Sequence, residues 1–343
     1  MTGGAAPARR TTGTGRVVVS QVVRAPNHLG DLVMALPALE AAGPVDVLVA
    51  APIAPLLAMS RFAGTIIPLT RGMAGFAEAA KHVRRRRYAR AVLLTPSFSS
   101  ALLFAAAGVP RRRGTDTDAR RFLLTDPVPF YPFTKLHRAA TYWSLLSPQP
   151  IPSTLQPRLT VPDEACTRWE ALVPKGDGPL IGLFPGGNAP ARRWAPASFA
   201  TLAARLAGRG ARVVVFGGPA ERALTAHVAG HAATDLGGQT DLPLLAAGLA
   251  ACDLVVSNDS GPLHMAAAVG TPTISFWGAG DPRITGPLGP AQRLVRHAEL
   301  PCVPCAKNVC PRKGRGTTLP DAHNECLALI TVDEVDALIP LAS

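Results

Sequence analysis

This 343-residue chain has little that suits a membrane span, a nucleic-acid surface or a disulfide scaffold. No run approaches the roughly 18 to 20 uninterrupted apolar residues that a spanning helix needs, although 48% of the residues are hydrophobic. Aromatic residues are only 5%, too few to supply the stacking platforms on which single-stranded nucleic acid binds. The opening "MTGGAAPARRTTGTG" has no apolar stretch behind its basic residues. Residues 1–15 are therefore expected to be a disordered leader and not a secretory signal, and the protein to be cytoplasmic. No full GxGxxG follows a strand-like run, which counts against a dehydrogenase. Acidic residues are scarce, 23 against 35 Lys plus Arg, and the formal charge of +12 favours anionic partners such as phosphates or a membrane surface. Six Cys in a cytoplasmic chain argue against a disulfide framework.

What is present is alternation. From Arg16 onward, apolar strand-like runs interleave with helical periodicity: "RVVVSQVVRA", a helix from Gly30, "VDVLVA", "GTIIPLT", a basic helix near "FAEAAKHVRRRRYA" and "RAVLLTPS". A second series follows a Pro-rich and charged stretch. It contains "PLIGLFPGG", "PASFATLAARLAGRG", "ARVVVFGG", "LPLLAAGLAAC", "DLVVSND", "PLHMAAAVG" and "TPTISFWG". Strands alternating with helices imply parallel βαβ units, and near-continuous apolar strands imply sheets covered on both faces. The expected fold class is α/β, two doubly wound Rossmann-like domains facing a cleft, over residues 16–165 and 176–343. In such domains ligands bind at the carboxyl ends of the strands, where Asp31, Pro185 to Asn188, Gly217, Gly218 and Asn258 to Gly261 fall.

The stretch "LVVSNDSGPLHMAAAVGTP" ends a buried strand at Ser257 and places Pro262 at a first helical position, with Gly270 as the stop. The amides of Gly261, Leu263 and His264 would make the turn an anion site for a phosphate or diphosphate. Ser260 or Asp259 as a plain helix cap is the alternative, but it explains one polar residue, not the run of Asn258, Asp259, Ser260 and His264. In "FPGGNAPARRWAPASF", Gly186 and Gly187 open a strand into Arg192 and Arg193, two guanidiniums suited to a departing diphosphate. Solvated surface arginines would look the same. In "VVVFGGPAERA", Gly217 and Gly218 allow close backbone approach, and Glu221 is placed to accept hydrogen bonds from a ribose. Asp31 reads either as a first-turn carboxylate complementing its helix dipole or as a base facing the cleft.

With these residues assembled, the chain resembles glycosyltransferase family nine, the ADP-heptose:lipopolysaccharide heptosyltransferases, and within it the heptosyltransferase II branch. The likeness runs through "RAPNHLGDLVMALPALEA", "LLTPSFSSALLFAAAGVPRRRGTDTDARRFLLTD", "FPGGNAPARRWAPASFATLA", "SNDSGPLHMAAAVGTPTISFWGAGDPRITGPLG" and "PCVPCAKNVCP…HNECLALIT". It implies a GT-B architecture, with the acceptor on the N-terminal domain and the nucleotide-sugar on the C-terminal one, and inverting transfer without a catalytic metal. By position Asp31 matches the family's proposed general base, and Asp259 the residue that holds the donor sugar's hydroxyls. Ser260, Gly261, Pro262 and His264 line the diphosphate turn, beside Gly186, Gly187, Arg193, Gly218 and Asn258. Arg192 stands where other members often have a lysine that stabilises the departing diphosphate. Glu221 falls near the ribose contact, and Asn27, His28, Gly30 and Arg112 on the acceptor side. Arg84 to Arg87 and Arg111 to Arg113 would then meet the phosphates and Kdo carboxylates of a glycolipid or an anionic membrane surface. The expected partners are ADP-heptose, an anionic glycolipid and the cytoplasmic face of the inner membrane, and not nucleic acid. Alternatives are another nucleotide sugar or a protein acceptor, a silent nucleotide-sugar binder, and a nucleotide-sugar epimerase.

The tail carries Cys302, Cys305 and Cys310 in a C-x2-C-x4-C pattern, then His323 and Cys326. That spacing suits a structural zinc or iron held by Cys302, Cys305, Cys310 and Cys326, with His323 as a substitute ligand. A reduced loop packed beside the cleft is the alternative. Cys166 and Cys252 look isolated, Cys252 as a buried thiol.

Overall fold

Runs such as Leu180–Phe184 and Leu254–Asn258 offer almost no polar face to water, and in the computed structural model each is a fully buried central strand of a parallel sheet. The structure describes residues 10–11, 17–18, 20–130, 135–311 and 324–341. Two compact units, Met1–Pro157 and Arg158–Ser343, divide the chain. The division falls earlier than the expected linker, because the helix Asp163–Leu172 belongs to the second unit, where Trp169 stacks 5.9 Å from Phe216. Apart from Arg10–Thr11, which pairs antiparallel with Val17–Val18, the expected leader lies outside the described residues.

The first unit runs β1 (Gln21–Arg24), α1 (Leu29–Ala41), β2 (Asp46–Ala50), β3 (Ile66–Leu69), α2 (Gly72–Arg86), β4 (Arg90–Leu93), α3 (Phe98–Ala106), β5 (Arg111–Thr115), β6 (Asp126–Val128) and α4 (Arg138–Leu146). Its six strands are all parallel, in the order β3-β2-β1-β4-β5-β6. Val22, Leu48 and Leu93 pack with Val83 of α2 and Phe104 of α3 in a core on one face of this sheet.

The second unit repeats the plan with α5 (Asp163–Leu172), β7 (Leu180–Phe184), α6 (Pro196–Gly208), β8 (Arg212–Gly217), α7 (Arg222–Ala229), β9 (Thr234–Gly237), α8 (Leu242–Ala251), β10 (Leu254–Asn258), α9 (Gly261–Val269), β11 (Thr273–Phe276), β12 (Gln292–Val295) and α10 (Val332–Asp336). The order is β9-β8-β7-β10-β11-β12, again parallel throughout. Trp194, fully buried, lies 5.0 Å from the Phe199 ring and 4.6 Å from Phe276. Its indole N–H donates to the Ile330 carbonyl at 2.9 Å, fastening the C-terminal segment. Cys252 is a buried thiol, as expected, donating to the Gly248 carbonyl, and Cys166 is exposed.

In both units the winding direction reverses between the first and fourth strands, β1 and β4 or β7 and β10. Such a reversal leaves a crevice at the carboxyl ends of those strands. Among the described residues no helix is long and apolar enough to cross a membrane.

His297 ties the end of β12 to α10, with Nε2 3.1 Å from Glu334 and Nδ1 3.0 Å from Glu299. The Glu334 carboxylate first, and Glu299 with it, raises the imidazole above its usual 6.5 against the opposing effect of partial burial. A raised base stabilises the fold fully below its unfolded pKa and loses that contribution as pH climbs through the folded value. The thermal midpoint is therefore expected to decline as pH rises from 6.5 upward. His297→Gln should flatten that slope, and calorimetry of both proteins across this range checks it.

Candidate functional site

The crevice of the first unit is a pocket of about 650 Å³, lined from the ends of β1, β4 and β5 and from α4. That volume is typical of small-ligand sites. Asn27, His28 and Asp31 enter it from the start of α1, Thr95 and Ser97 from the end of β4, Thr115 and Asp118 from the end of β5, and Arg138 and Tyr142 from α4. Asn27 is held by a hydrogen bond from Arg24, whose buried guanidinium also donates to the carbonyls of Ala25 and Leu48. Burial lowers the Arg24 pKa to about 10.

Asp31 sits in the first helical turn, its side chain 30% exposed. Oδ1 accepts from the Tyr142 hydroxyl at 2.9 Å, and the Arg138 guanidinium lies 4.0 Å away. Tyr142 is raised far above the ordinary phenol range, by burial first and by the Asp31 charge second, so it stays a donor. Among the described residues Oδ2 has no hydrogen-bond partner. One carboxylate oxygen is thus fixed and the other is available to take a proton, the geometry a general base needs. Arg138 Nε is buried and lacks a hydrogen-bond partner among the described residues, an unspent donor beside the base.

Gly30 is buried in the first turn of α1 and does not line the pocket. Nor does Arg112, whose guanidinium donates to the backbone carbonyls of Val109 and Leu123 at 2.5 and 2.7 Å. Arg113 is spent likewise, on Asp126 and the Leu145 carbonyl. The structure thus does not bring Gly30 and Arg112, expected on the acceptor side, into this crevice. Tyr142 and Arg138 do line the crevice beside Asp31. Neither is legible in sequence, being more than a hundred residues from Asp31 on an ordinary amphipathic helix.

In the second unit the glycine turn after β7 and the polar turn after β10 are stitched together. Asn258 donates to the carbonyls of Pro185 and Gly186 at 2.7 and 3.2 Å and accepts from the Trp194 amide at 2.9 Å. Its amide is fully buried and shapes the turn. Glu221 does similar work: Oε1 accepts from the Gly187 amide at 2.9 Å and Oε2 from the Gly218 amide at 2.8 Å. A Cβ on Gly186 would meet Oε1 at 2.0 Å, and Gly187 has φ +147°, so both positions need glycine. Arg193 Nε donates to the Gly187 carbonyl at 2.8 Å.

Asp259 is buried, its side chain 5% exposed, and pairs with Arg192 at 3.0 Å. Gly280 makes room for it, since a Cβ there would stand 2.3 Å from Oδ2. Arg192 Nε is itself buried with no hydrogen-bond partner among the described residues. Ser260 occupies the N-cap of α9 but its side chain does not cap; its hydroxyl lies 3.2 Å from that of Ser257. Capping therefore does not account for Ser260. Gly261 and Pro262 open the helix and His264 is buried in its first turns. Positive helix-end charge and the Arg192 guanidinium meet one buried carboxylate, a setting for a ligand with both hydroxyls and negative charge.

Cys302, Cys305, Cys310 and Cys326 do come together, around a cavity of about 20 Å³ shared with Ala191 and Asn324. Burial, then the neighbouring thiols, pushes Cys326 up to about 11. Among the described residues no three His, Cys, Asp or Glu side chains are set to hold a metal ion. The donor chemistry fits zinc or iron, and these four thiols are the side chains that would hold one. His323 lies outside the described residues.

Residues 76–315 match glycosyltransferase family 9 (heptosyltransferase). The chain belongs to that family. Lipopolysaccharide heptosyltransferase 2 of Salmonella typhimurium is 30% identical over 311 residues, covering 80% of this chain and 87% of that protein. The structure of Escherichia coli ADP-heptose lps heptosyltransferase II superposes with a TM-score of 0.75 at 26% identity, over 93% of this chain and 97% of the other. E. coli heptosyltransferase WaaC with ADP-2-deoxy-2-fluoro heptose shares the fold, with a TM-score of 0.66 at 17% identity over 92% and 98% of the two chains. This family 9 glycosyltransferase thus has the expected GT-B-like fold, two parallel six-stranded sheets clothed in helices.

Arg192→Ala removes both the counter-charge of Asp259 and the unspent donor. It is expected to lower kcat/KM for the donor by roughly ten- to a hundredfold, with donor affinity falling alongside turnover. Unchanged kinetics would move the anion contact to Arg193 or to backbone.

Proposed function

We propose that this glycosyltransferase moves heptose from ADP-heptose to the inner core of lipopolysaccharide, with inversion. The observation that carries the chemistry is the half-anchored carboxylate of Asp31 in a ligand-sized crevice at the strand reversal. In the reaction Asp31 takes the proton of the acceptor hydroxyl as its oxygen bonds to the anomeric carbon. The bond from that carbon to the diphosphate breaks, and its electron pair leaves with ADP. A single displacement of this kind inverts the centre, and its cost is the charge developing on the departing diphosphate. Arg192 and the first turn of α9 supply opposing charge. Asp259 is placed to accept from the sugar's hydroxyls, and Glu221 shapes the glycine turns beside them. The ADP-2-deoxy-2-fluoro heptose of the WaaC structure supports a donor of this class. Arg138 is the donor on the acceptor side suited to a phosphate or a Kdo carboxylate. The acceptor is lipid-anchored on this reading, so the enzyme works peripherally at the cytoplasmic face of the inner membrane.

The test is mass spectrometry of Kdo-lipid A acceptors, with and without a first heptose, after incubation with the purified protein and ADP-heptose. Gain of one heptose only on the already heptosylated acceptor is the expected result. No gain on any acceptor, with donor binding intact, would overturn the reading and leave another sugar, a protein acceptor or a silent binder.

A further inference from the structure

The first unit exposes large apolar side chains where its neighbours are arginine. Phe122 is 74% exposed and its ring centroid lies 6.0 Å from that of Phe98, the first residue of α3. Leu102, one helical turn on, is also exposed, so Phe98, Leu102 and Phe122 form one apolar patch. The patch begins at the pocket rim. Ser97, adjacent to Phe98, lines the Asp31 crevice, and so does Asp118, which accepts from the Phe98 amide at 2.6 Å.

Basic side chains border it. Arg121, beside Phe122, is exposed and reaches Asp116 at 3.3 Å. At the far end of α3, Arg84 donates to the Ala106 carbonyl at 2.5 Å, which brings the C-terminus of α2 and its exposed Arg85, Arg86 and Arg87 alongside. An apolar stripe flanked by arginines matches a surface with acyl chains under an anionic headgroup layer. A protein partner would have to be acidic and apolar at once.

We propose that the outer face of α3 with the turn at Phe122 docks the first unit on a bilayer rich in anionic lipid. Phe98, Leu102 and Phe122 enter the interface, and Arg85, Arg86 and Arg121 face the headgroups. This rests on the reading of the acceptor as lipid-anchored: the docked face adjoins the crevice that would receive its sugar, so an acceptor need not leave the bilayer to reach Asp31.

Co-sedimentation of the whole protein with phosphatidylcholine vesicles, with and without phosphatidylglycerol, tests it. Binding is expected to require phosphatidylglycerol and to weaken with salt. The double variant Phe98→Ser, Phe122→Ser should lower vesicle affinity by about tenfold or more, with thermal midpoint and transfer to a deacylated, water-soluble acceptor unchanged. Arg85→Glu with Arg86→Glu should abolish the phosphatidylglycerol dependence. A wild type that ignores anionic vesicles at low salt overturns the proposal, as does a Phe double variant that binds like wild type. A variant whose change is in oligomeric state would assign the patch to a second copy of the chain and overturn it equally. Loss of transfer to the soluble acceptor by the wild type itself would instead count against the proposed function, because vesicle binding is read separately.

Discussion

Asp31→Asn is expected to turn over on the order of a hundred- to ten-thousandfold more slowly than wild type, about 3 to 5.5 kcal/mol of transition-state stabilisation. Asparagine is the informative choice. Its amide oxygen still accepts from the Tyr142 hydroxyl, now 2.9 Å from Oδ1, so the buried phenol keeps a partner and the crevice its shape. What is lost is the capacity to take a proton. Donor affinity should hold, since Asp259 and Arg192 keep their ion pair in this variant. Turnover at saturating substrates, with donor affinity by calorimetry, measures both. Equal turnover would remove Asp31 from the chemistry. Tyr142→Phe should cost less and act through the base, lowering kcat with donor affinity unchanged, because it removes the hydrogen bond that fixes Oδ1.

The second large effect is structural. Arg120 is completely buried, and Nε donates to the Thr115 carbonyl at 2.9 Å, Nη1 to the Thr95 carbonyl at 2.5 Å and Nη2 to the Thr115 hydroxyl at 3.0 Å. Burial lowers its pKa to about 10, so the charge persists at neutral pH. The groups it binds are the ends of β4 and β5, and Thr95 and Thr115 line the Asp31 crevice. Arg120→Met fills a similar volume but leaves buried carbonyls without a donor, for an expected loss of roughly 3 to 5 kcal/mol in unfolding free energy. Urea denaturation followed by circular dichroism checks this. A loss under about 1 kcal/mol would mean that water or neighbouring side chains take over the carbonyls.

The residues that could be read from the sequence are those whose signal is local. Central strands announced themselves as apolar runs because both of their faces are covered, and the turns after β7 and β10 because Gly, Asp, Ser and Pro cluster there. Outer strands gave no such signal: Thr234–Gly237, Asp126–Val128 and Gln292–Val295 are short, partly polar edge strands. Arg111–Thr115 reads as a basic surface, yet it is an inner strand whose Arg112 and Arg113 are consumed by backbone carbonyls and Asp126. The same limit applied to the site. Asp31, Asp259 and Arg192 were legible by position, but Tyr142, Arg138 and Gly280 matter only through contacts across long stretches of chain. Asn258 and Glu221 stand out in the sequence as polar residues at strand ends, but that they hold the glycine turns in shape is visible only in the structure.

The residues lining the Asp31 crevice all precede Pro157, and Asp259 and its ion-pair partner Arg192 both follow Arg158. Heredity can therefore edit the two halves on separate accounts. With the acceptor on the first unit and the donor on the second, as in the proposed function, substitutions that alter which acceptor is received would fall in one stretch of the gene and leave the handling of the donor intact, and recombination near codon 157 would pair an old donor preference with a new acceptor. A lineage whose surface glycans are under pressure to change has, in this arrangement, a way to vary the recipient without relearning the gift.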